Sequence, residues 1–126
     1  MSNSAIRVSD YLEHILEAME RIRVYTAGMT ETEFGANQLV QDGVIRNFEV
    51  MGEAARNIET NAPTFAAIHP ELRLKDIYLM RNRLSHGYFS INLTIVWITV
   101  QRDLPDLHMH ISKAYEALKT QSSSAP

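Results

Sequence analysis

Apolar residues recur along the chain at intervals of three and four, the period of one helical face, and nowhere alternate as a half-buried strand requires. Val8, Leu12, Ile15, Met19 and Ile22 carry the pattern first and predict a helix over Val8–Tyr25, stopped by Gly28. Thr30-Glu31-Thr32-Glu33 has the form of a capping box opening a short turn through Phe34. A second helix is predicted over Asn37–Thr60 from the stripe Val40, Val44, Phe48, Met51, Ala55 and Ile58. Leu39 and Ile45 widen that stripe, and a helix apolar over such a width belongs between neighbours. Gly43 and Gly52 cost helix propensity there and suit a close backbone approach. Residues 61–72 are expected as loop. A third helix is predicted over Leu74–Ser85, with Leu74, Ile77, Met80 and Leu84 inward and Arg81 and Arg83 off the stripe; Gly87 is its expected stop. Asn92 suits the N-cap of the last helix, where Leu93, Trp97, Val100, Leu104, Leu107, Ile111, Ala114 and Leu118 keep one face. Pro105 interrupts it: proline lacks an N–H and clashes with the carbonyl four residues back, so a kink or two abutting helices are expected.

The predicted fold class is therefore all-α, an antiparallel four-helix bundle with a kinked or split last helix. At 126 residues the chain suits one domain, 1–118, with the polar stretch 119–126 as a flexible tail. The apolar width of the second and last helices fits self-association, and fits equally two helices central to a single molecule.

Composition narrows the chemistry. There is no cysteine, so disulfides, thiolate metal sites and a cysteine nucleophile are excluded, and the expectation is a reducing cytoplasm. No signal core is read at the N-terminus, and no apolar run approaches the roughly 20 residues of a membrane span. His14, His69, His86, His108 and His110 show no ligand set; His108 and His110, two apart, diverge on a helix. No metal or cofactor is expected. The formal charge of −3 argues against a general nucleic-acid binder. Arg73, Lys75, Arg81 and Arg83 nevertheless outnumber Asp76 within Arg73–His86, a local sum of +3 that can attract phosphate. A solvated helix face accounts for the same charges.

The segment Met80-Arg81-Asn82-Arg83-Leu84-Ser85-His86-Gly87-Tyr88-Phe89 gathers the candidate chemistry. An imidazole takes or gives a proton near neutral pH. A guanidinium is always charged and matches two phosphate oxygens at once. Together they suffice for cleaving RNA, which supplies its own nucleophile, the 2′-hydroxyl, and leaves the protein to move protons and stabilise the transition state. The residues also read as a histidine favoured at a helix C-terminus, two surface arginines, and Tyr88 with Phe89 covering the end of the core. Spacing alone does not choose between these.

Arg81, the polar Asn82 and His86 resemble the signature of the HEPN superfamily, and His86-Gly87-Tyr88 is similar to its HepT-like branch, the toxin half of HepT–MntA toxin–antitoxin modules. Gln41–Glu49, Gly52–Ala55, Ile95–Trp97 and Asp103–Leu107 resemble the same branch, so the likeness spans about residues 5–118. One departure is Leu74, in a stretch where the family often has Trp; it implies altered packing at the mouth of the site. The resemblance implies a homodimer in which Arg81 and His86 of both subunits line one cleft, supported by Asn82 and Arg83. It implies a metal-independent endoribonuclease acting on RNA such as tRNA or mRNA, with 2′,3′-cyclic phosphate and 5′-hydroxyl products. It further implies a nucleotidyltransferase antitoxin, MntA-like, that adds AMP to Tyr88 and so sets a bulky anion two residues from His86. A non-catalytic nucleotide- or RNA-binding partner of such a transferase is the competing reading, and a purely structural dimer is a third. Glu53 either pairs with Arg81 in a buried setting or is a solvated carboxylate.

Overall fold

Val8, Leu12, Ile15, Met19 and Ile22 are all buried along one face of the first helix, α1 (Ser2–Thr26). The structure, a computed structural model, describes residues 2–86 and 92–124, with side chains within 7–80 and 92–121. Thr26, buried at the end of α1, donates its hydroxyl to the Ile22 carbonyl at 2.9 Å, which satisfies it within its own helix. Gly28 then turns the chain at φ +74°, a region where a side chain would be strained.

The expected capping box is present. Thr30 accepts from the Glu33 amide, Glu33 accepts from the Thr30 amide, and the box opens α2 (Glu31–Gly35). Phe34 of α2 is almost fully enclosed. Asn37 caps α3 (Gln38–Asn61), its Oδ1 accepting from the Val40 amide at 3.1 Å. Val44, Phe48, Met51, Ala55 and Ile58 are buried, while Val40 and Ile45 pack partly against the core. Leu39 does not belong to that stripe: it is 83% exposed, because it lies about 100° around the helix from Val40.

The stretch 61–72, expected as loop, forms α4 (Pro63–Ile68) and a 3₁₀ turn, Pro70–Leu72. Proline is the reason. With no N–H and φ already fixed, it suits the first turn of a helix as well as it ends a preceding one. Pro63 and Pro70 each start an element here, and fully buried Leu72 pins the second.

Two more helices complete the chain beyond α5 (Leu74–His86). Asn92 caps α6 (Leu93–Ile98) through its Oδ1 to the Ile95 amide at 3.1 Å. The break expected at Pro105 is realised just before it, as a π-helical turn over Thr99–Asp103 leading into α7 (Leu104–Ser124). There the Leu104 amide reaches five residues back to the Thr99 carbonyl. The wider turn relieves the crowding that a proline ring imposes on a tight helix. The core-facing stripe ends at partly buried Leu118, whereas helical backbone continues to Ser124.

The described residues contain helices and no strand, so the all-α class is observed. Helix α3 packs extensively against both α1 and α5, and α1 also packs against α7. A buried polar link reinforces the first contact. Asn47, 5% exposed, donates to the Gly43 carbonyl at 2.8 Å and accepts from Arg21 Nε at 2.7 Å. At Gly43 an added Cβ would come within 3.0–3.1 Å of the Tyr25 ring, so a hydrogen there lets the ring lie on the α3 backbone. Tyr115 ties α7 to α1, donating to Glu13 at 3.1 Å. No helix of the described residues is long and apolar enough to cross a membrane.

Asn47→Ala is expected to lower the unfolding free energy by about 1–2 kcal/mol in urea denaturation, because it removes a buried acceptor for a charged donor. Arg21→Ala, acting at an exposed side chain, should cost less, and the two losses should not add in the double variant. Full additivity would show that the pair does not couple α1 to α3.

Candidate active site

Helix α5 carries the candidate chemistry, and its direction is set at its start. Arg73 adopts the left-handed conformation, φ 51° and ψ 42°, where a side chain costs about 1–2 kcal/mol. The bend is held from both sides: the Arg73 amide donates to the Pro70 carbonyl, and the Arg73 carbonyl accepts from the Ile77 amide, each at 3.1 Å. Its Nε donates to Asp76 Oδ2 at 3.0 Å. Leu74 and Ile77 are buried, and Met80 packs partly against the core. Beneath them Met51 of α3, Thr99 of the π turn and Leu104 of α7 share a small cavity of about 60 Å³ with Ile77 and Met80. The π turn thus faces α5 across this cavity. Leu74, standing where the resemblance expects Trp, is a core residue about 18 Å along the helix axis from His86.

Arg81, Asn82 and Arg83 occupy the next turn of α5, and His86 is its last residue. Their backbone is described and their side chains are not; Gly87 and Tyr88 lie outside the described residues. The helical period puts positions 79, 82 and 86 along one side of α5, and 78, 82 and 85 along the adjoining strip. Leu79 on the first of these is 40% exposed. Glu53 on α3 is exposed, which agrees with a solvated carboxylate; a pairing with Arg81 would involve a side chain outside the described set.

A feature that the sequence reading missed lies beside this turn. The Arg56 guanidinium of α3 sits over the ring of Tyr78, 5.3 Å from its centroid. Neither residue belongs to an apolar stripe or a recognised motif. The available signal was only that each falls on the polar flank of its helix, which does not say that the flanks meet.

Elsewhere, several charged side chains pair with one another. Arg23 grips Glu20 through Nε at 2.9 Å and Nη2 at 2.5 Å; these hydrogen bonds hold the Glu20 carboxyl below its usual pKa and raise that of Arg23. The pair rims a groove of about 550 Å³ between the end of α1 and the start of α7. Met19, Met29, Val100 and Leu104 floor it, and none of the α5 side chains described, those of Leu74–Met80, lines it. His69 Nδ1 lies 3.0 Å from Glu71 Oε2; that bond, then a backbone hydrogen bond at Glu71, keeps the Glu71 carboxyl below its ordinary value. Among the described residues no three His, Asp or Glu side chains form a group able to hold a metal ion.

Comparison with known proteins joins this geometry to a family. The profile of the family described as "Ribonuclease HepT-like" matches residues 15–114, from α1 through most of α7. A protein of Thermococcus cleftensis named "Probable ribonuclease HepT" is 38% identical over 98 residues, 78% of this chain and 86% of its own. A Methanocaldococcus jannaschii protein named "Gamma-glutamylcyclotransferase and putative RNase" is 37% identical over 111 residues, 88% of this chain but only 49% of its own length. A second protein of that organism, named "Putative RNase", is 36% identical over 99 residues, 79% of each chain. No solved structure matches. The match covers the core of α1, the whole of α3 and the Arg81–His86 segment of α5, and on this ground the chain belongs to the HepT-like ribonuclease family.

Proposed function

We propose that the chain is a metal-independent endoribonuclease, the toxin of a toxin–antitoxin module, acting in the cytoplasm as a homodimer. The observation that carries this is the placement of Arg81, Asn82 and His86 in the final turns of α5, in a chain that belongs to a ribonuclease family. In this reading the RNA 2′-hydroxyl attacks the adjacent phosphorus, the P–O5′ bond breaks, and a 2′,3′-cyclic phosphate and a 5′-hydroxyl result. One imidazole accepts the 2′-hydroxyl proton while a protonated one delivers a proton to the departing O5′. Two copies of His86 at a shared cleft supply both roles. Arg81 stabilises the charge that develops on the phosphoryl oxygens, and Asn82 and Arg83 hold the strand.

A dimer seam along α5 gains support from Leu79. It is exposed, and shares one side of α5 with positions 82 and 86. Ile95 and Ile98 of α6 are also exposed, 51% and 40%. Burying such side chains against a second copy stabilises by about 25 cal/mol per Å² of apolar surface. Association along this side would bring two His86 positions together, in a HEPN-like arrangement.

The antitoxin of this proposal is a nucleotidyltransferase that transfers AMP from a nucleotide to the Tyr88 oxygen, releasing pyrophosphate. The anionic adduct, two residues from His86, repels RNA and fills the cleft.

Incubation of the purified protein with tRNA in EDTA is expected to give cyclic-phosphate ends, identified by mass spectrometry. His86→Ala should slow cleavage at least about 100-fold, the range of one general acid–base group. Binding without cleavage would instead favour a non-catalytic RNA-binding role, and cleavage untouched by His86→Ala would remove His86 from the chemistry. Co-expression with a nucleotidyltransferase of the proposed kind should add the mass of AMP to the wild type and not to Tyr88→Phe; equal labelling of both would place the modification elsewhere.

A further inference from the structure

We infer that Arg56 and Tyr78 form an RNA-binding subsite beside the cleavage segment, in which Tyr78 holds the Arg56 guanidinium flat so that its N–H edge takes a phosphate flanking the scissile linkage. The inference rests on the ribonuclease reading above and adds to it a residue from a different helix. Its first support is the cation–π contact itself: Arg56 Cζ lies over the Tyr78 ring, 5.3 Å from its centroid. Stacking engages the face of a guanidinium and leaves its hydrogen-bonding edge available, and that edge matches two phosphate oxygens at once.

The second support is charge. Arg56 is exposed, and among the described residues no carboxylate lies within ion-pair distance of it. The same holds for exposed Lys75, one turn before Tyr78 on α5. Arg23 and Arg73, by contrast, are each paired with a carboxylate three residues away along the chain. The chain, acidic overall at −3, thus leaves uncompensated cations flanking Tyr78.

The third is register. Arg81 and Asn82 follow Tyr78 by three and four residues, one turn along α5. Tyr78 to His86 spans about 12 Å of helix axis. A stacked strand presents a phosphate every ~3.4 Å along its axis, and an extended one fewer. A strand with its scissile linkage at His86 therefore brings a neighbouring phosphate to Arg56 within a few nucleotides. The subsite binds the backbone and carries no base-specific contact, so it contributes affinity over a range of sequences.

The test measures cleavage and binding of a labelled single-stranded RNA in EDTA across a salt series, for wild type, His86→Ala, Arg56→Gln, Arg56→Lys and Tyr78→Leu. Arg56→Gln is expected to raise KM about tenfold with kcat within twofold. It should also reduce the slope of log Kd against log salt by about one unit, the signature of one lost phosphate contact. Arg56→Lys should keep the salt slope while losing part of the affinity, because it retains charge without the planar fork. Tyr78→Leu should raise KM less than Arg56→Gln and leave the slope unchanged. Wild-type KM and slope in Arg56→Gln, alongside cleavage that His86→Ala abolishes, would overturn this subsite and leave the ribonuclease reading standing. If the wild type neither binds nor cuts RNA, both fall together. Circular dichroism of each variant separates a lost contact from a lost fold, and Arg56→Lys, with the stem and charge retained, still reports the planar fork if Arg56→Gln unfolds.

Discussion

The burial of α3 between α1 and α5 is the constraint on which the remainder of the structure depends. An apolar helix flanked on both sides has little rotational freedom. Val44, Phe48, Met51, Ala55 and Ile58 are all enclosed, and turning α3 would bring that row toward water. Each large apolar side chain buried is worth about 1.5–3 kcal/mol, so even one turned outward would take a large part of a small domain's net stability. Asn47 adds direction to this non-directional force. It is buried, accepts from Arg21 and donates to the Gly43 carbonyl, so a slip of α3 along α1 would break a hydrogen bond to a charged donor inside the contact. The placement of α5 follows from that of α3, because the two pack face to face.

Two departures from regular helix geometry lie near α5. Arg73 takes a left-handed conformation at its start, and the π turn over Thr99–Asp103 lines a small cavity together with Ile77 and Met80. Both are unfavourable locally, and both are held by surrounding contacts: fully buried Leu72 and the flanking backbone hydrogen bonds at Arg73, and the Thr99 hydroxyl donating to Ile95 at the π turn. Strain of this kind persists only where the surrounding structure over-determines it. Here the result is a helix that starts from a fixed bend and has a widened turn facing it across the cavity, while its final turn carries Arg81 and His86.

Helical periodicity made the long elements legible. The spacing of Val8 to Ile22, the Thr30–Glu33 box and the cap at Asn92 all reappear as read, because each is a local rule satisfied by a few adjacent residues. What failed was also local. The stretch 61–72 reads as loop, yet Pro63 and Pro70 each start an element there, since a missing N–H suits the first turn of a helix as well as it ends a preceding one. Leu39 was counted as core on identity, although its angle around α3 sets it in solvent. Pro105 marks the right place for a kink or two abutting helices, and the structure has α6 and α7 joined there by a π turn, a form that the proline alone does not specify. For the candidate site, the family signature was legible in Arg81, Asn82, His86 and Tyr88. The meeting of Arg56 with Tyr78 was not: it joins residues 22 apart, on different helices, and is fixed only by the α3–α5 packing.

The same packing resolves the apparent conflict between an acidic chain and an RNA substrate. Net charge governs long-range behaviour, and beyond a Debye length of about 8 Å at physiological salt little of it is felt. A phosphate arriving at α5 responds to the charges within that distance. Within the Arg73–His86 segment Arg73 is compensated by Asp76, Lys75 has no ion pair among the described residues, and α3 adds Arg56 from alongside. Carboxylates gathered elsewhere, such as Glu20 with Arg23 at the end of α1, set the sign of the total without setting the field at the site. A protein arranged this way attracts polyanions weakly over its surface as a whole and more strongly along one helix. That combination suits an enzyme that must release its product strand and avoid indiscriminate retention on nucleic acid. Association of two copies along α5 would double the local cations while leaving the charge per chain unchanged, so a dimer strengthens the site without turning the protein into a general RNA binder.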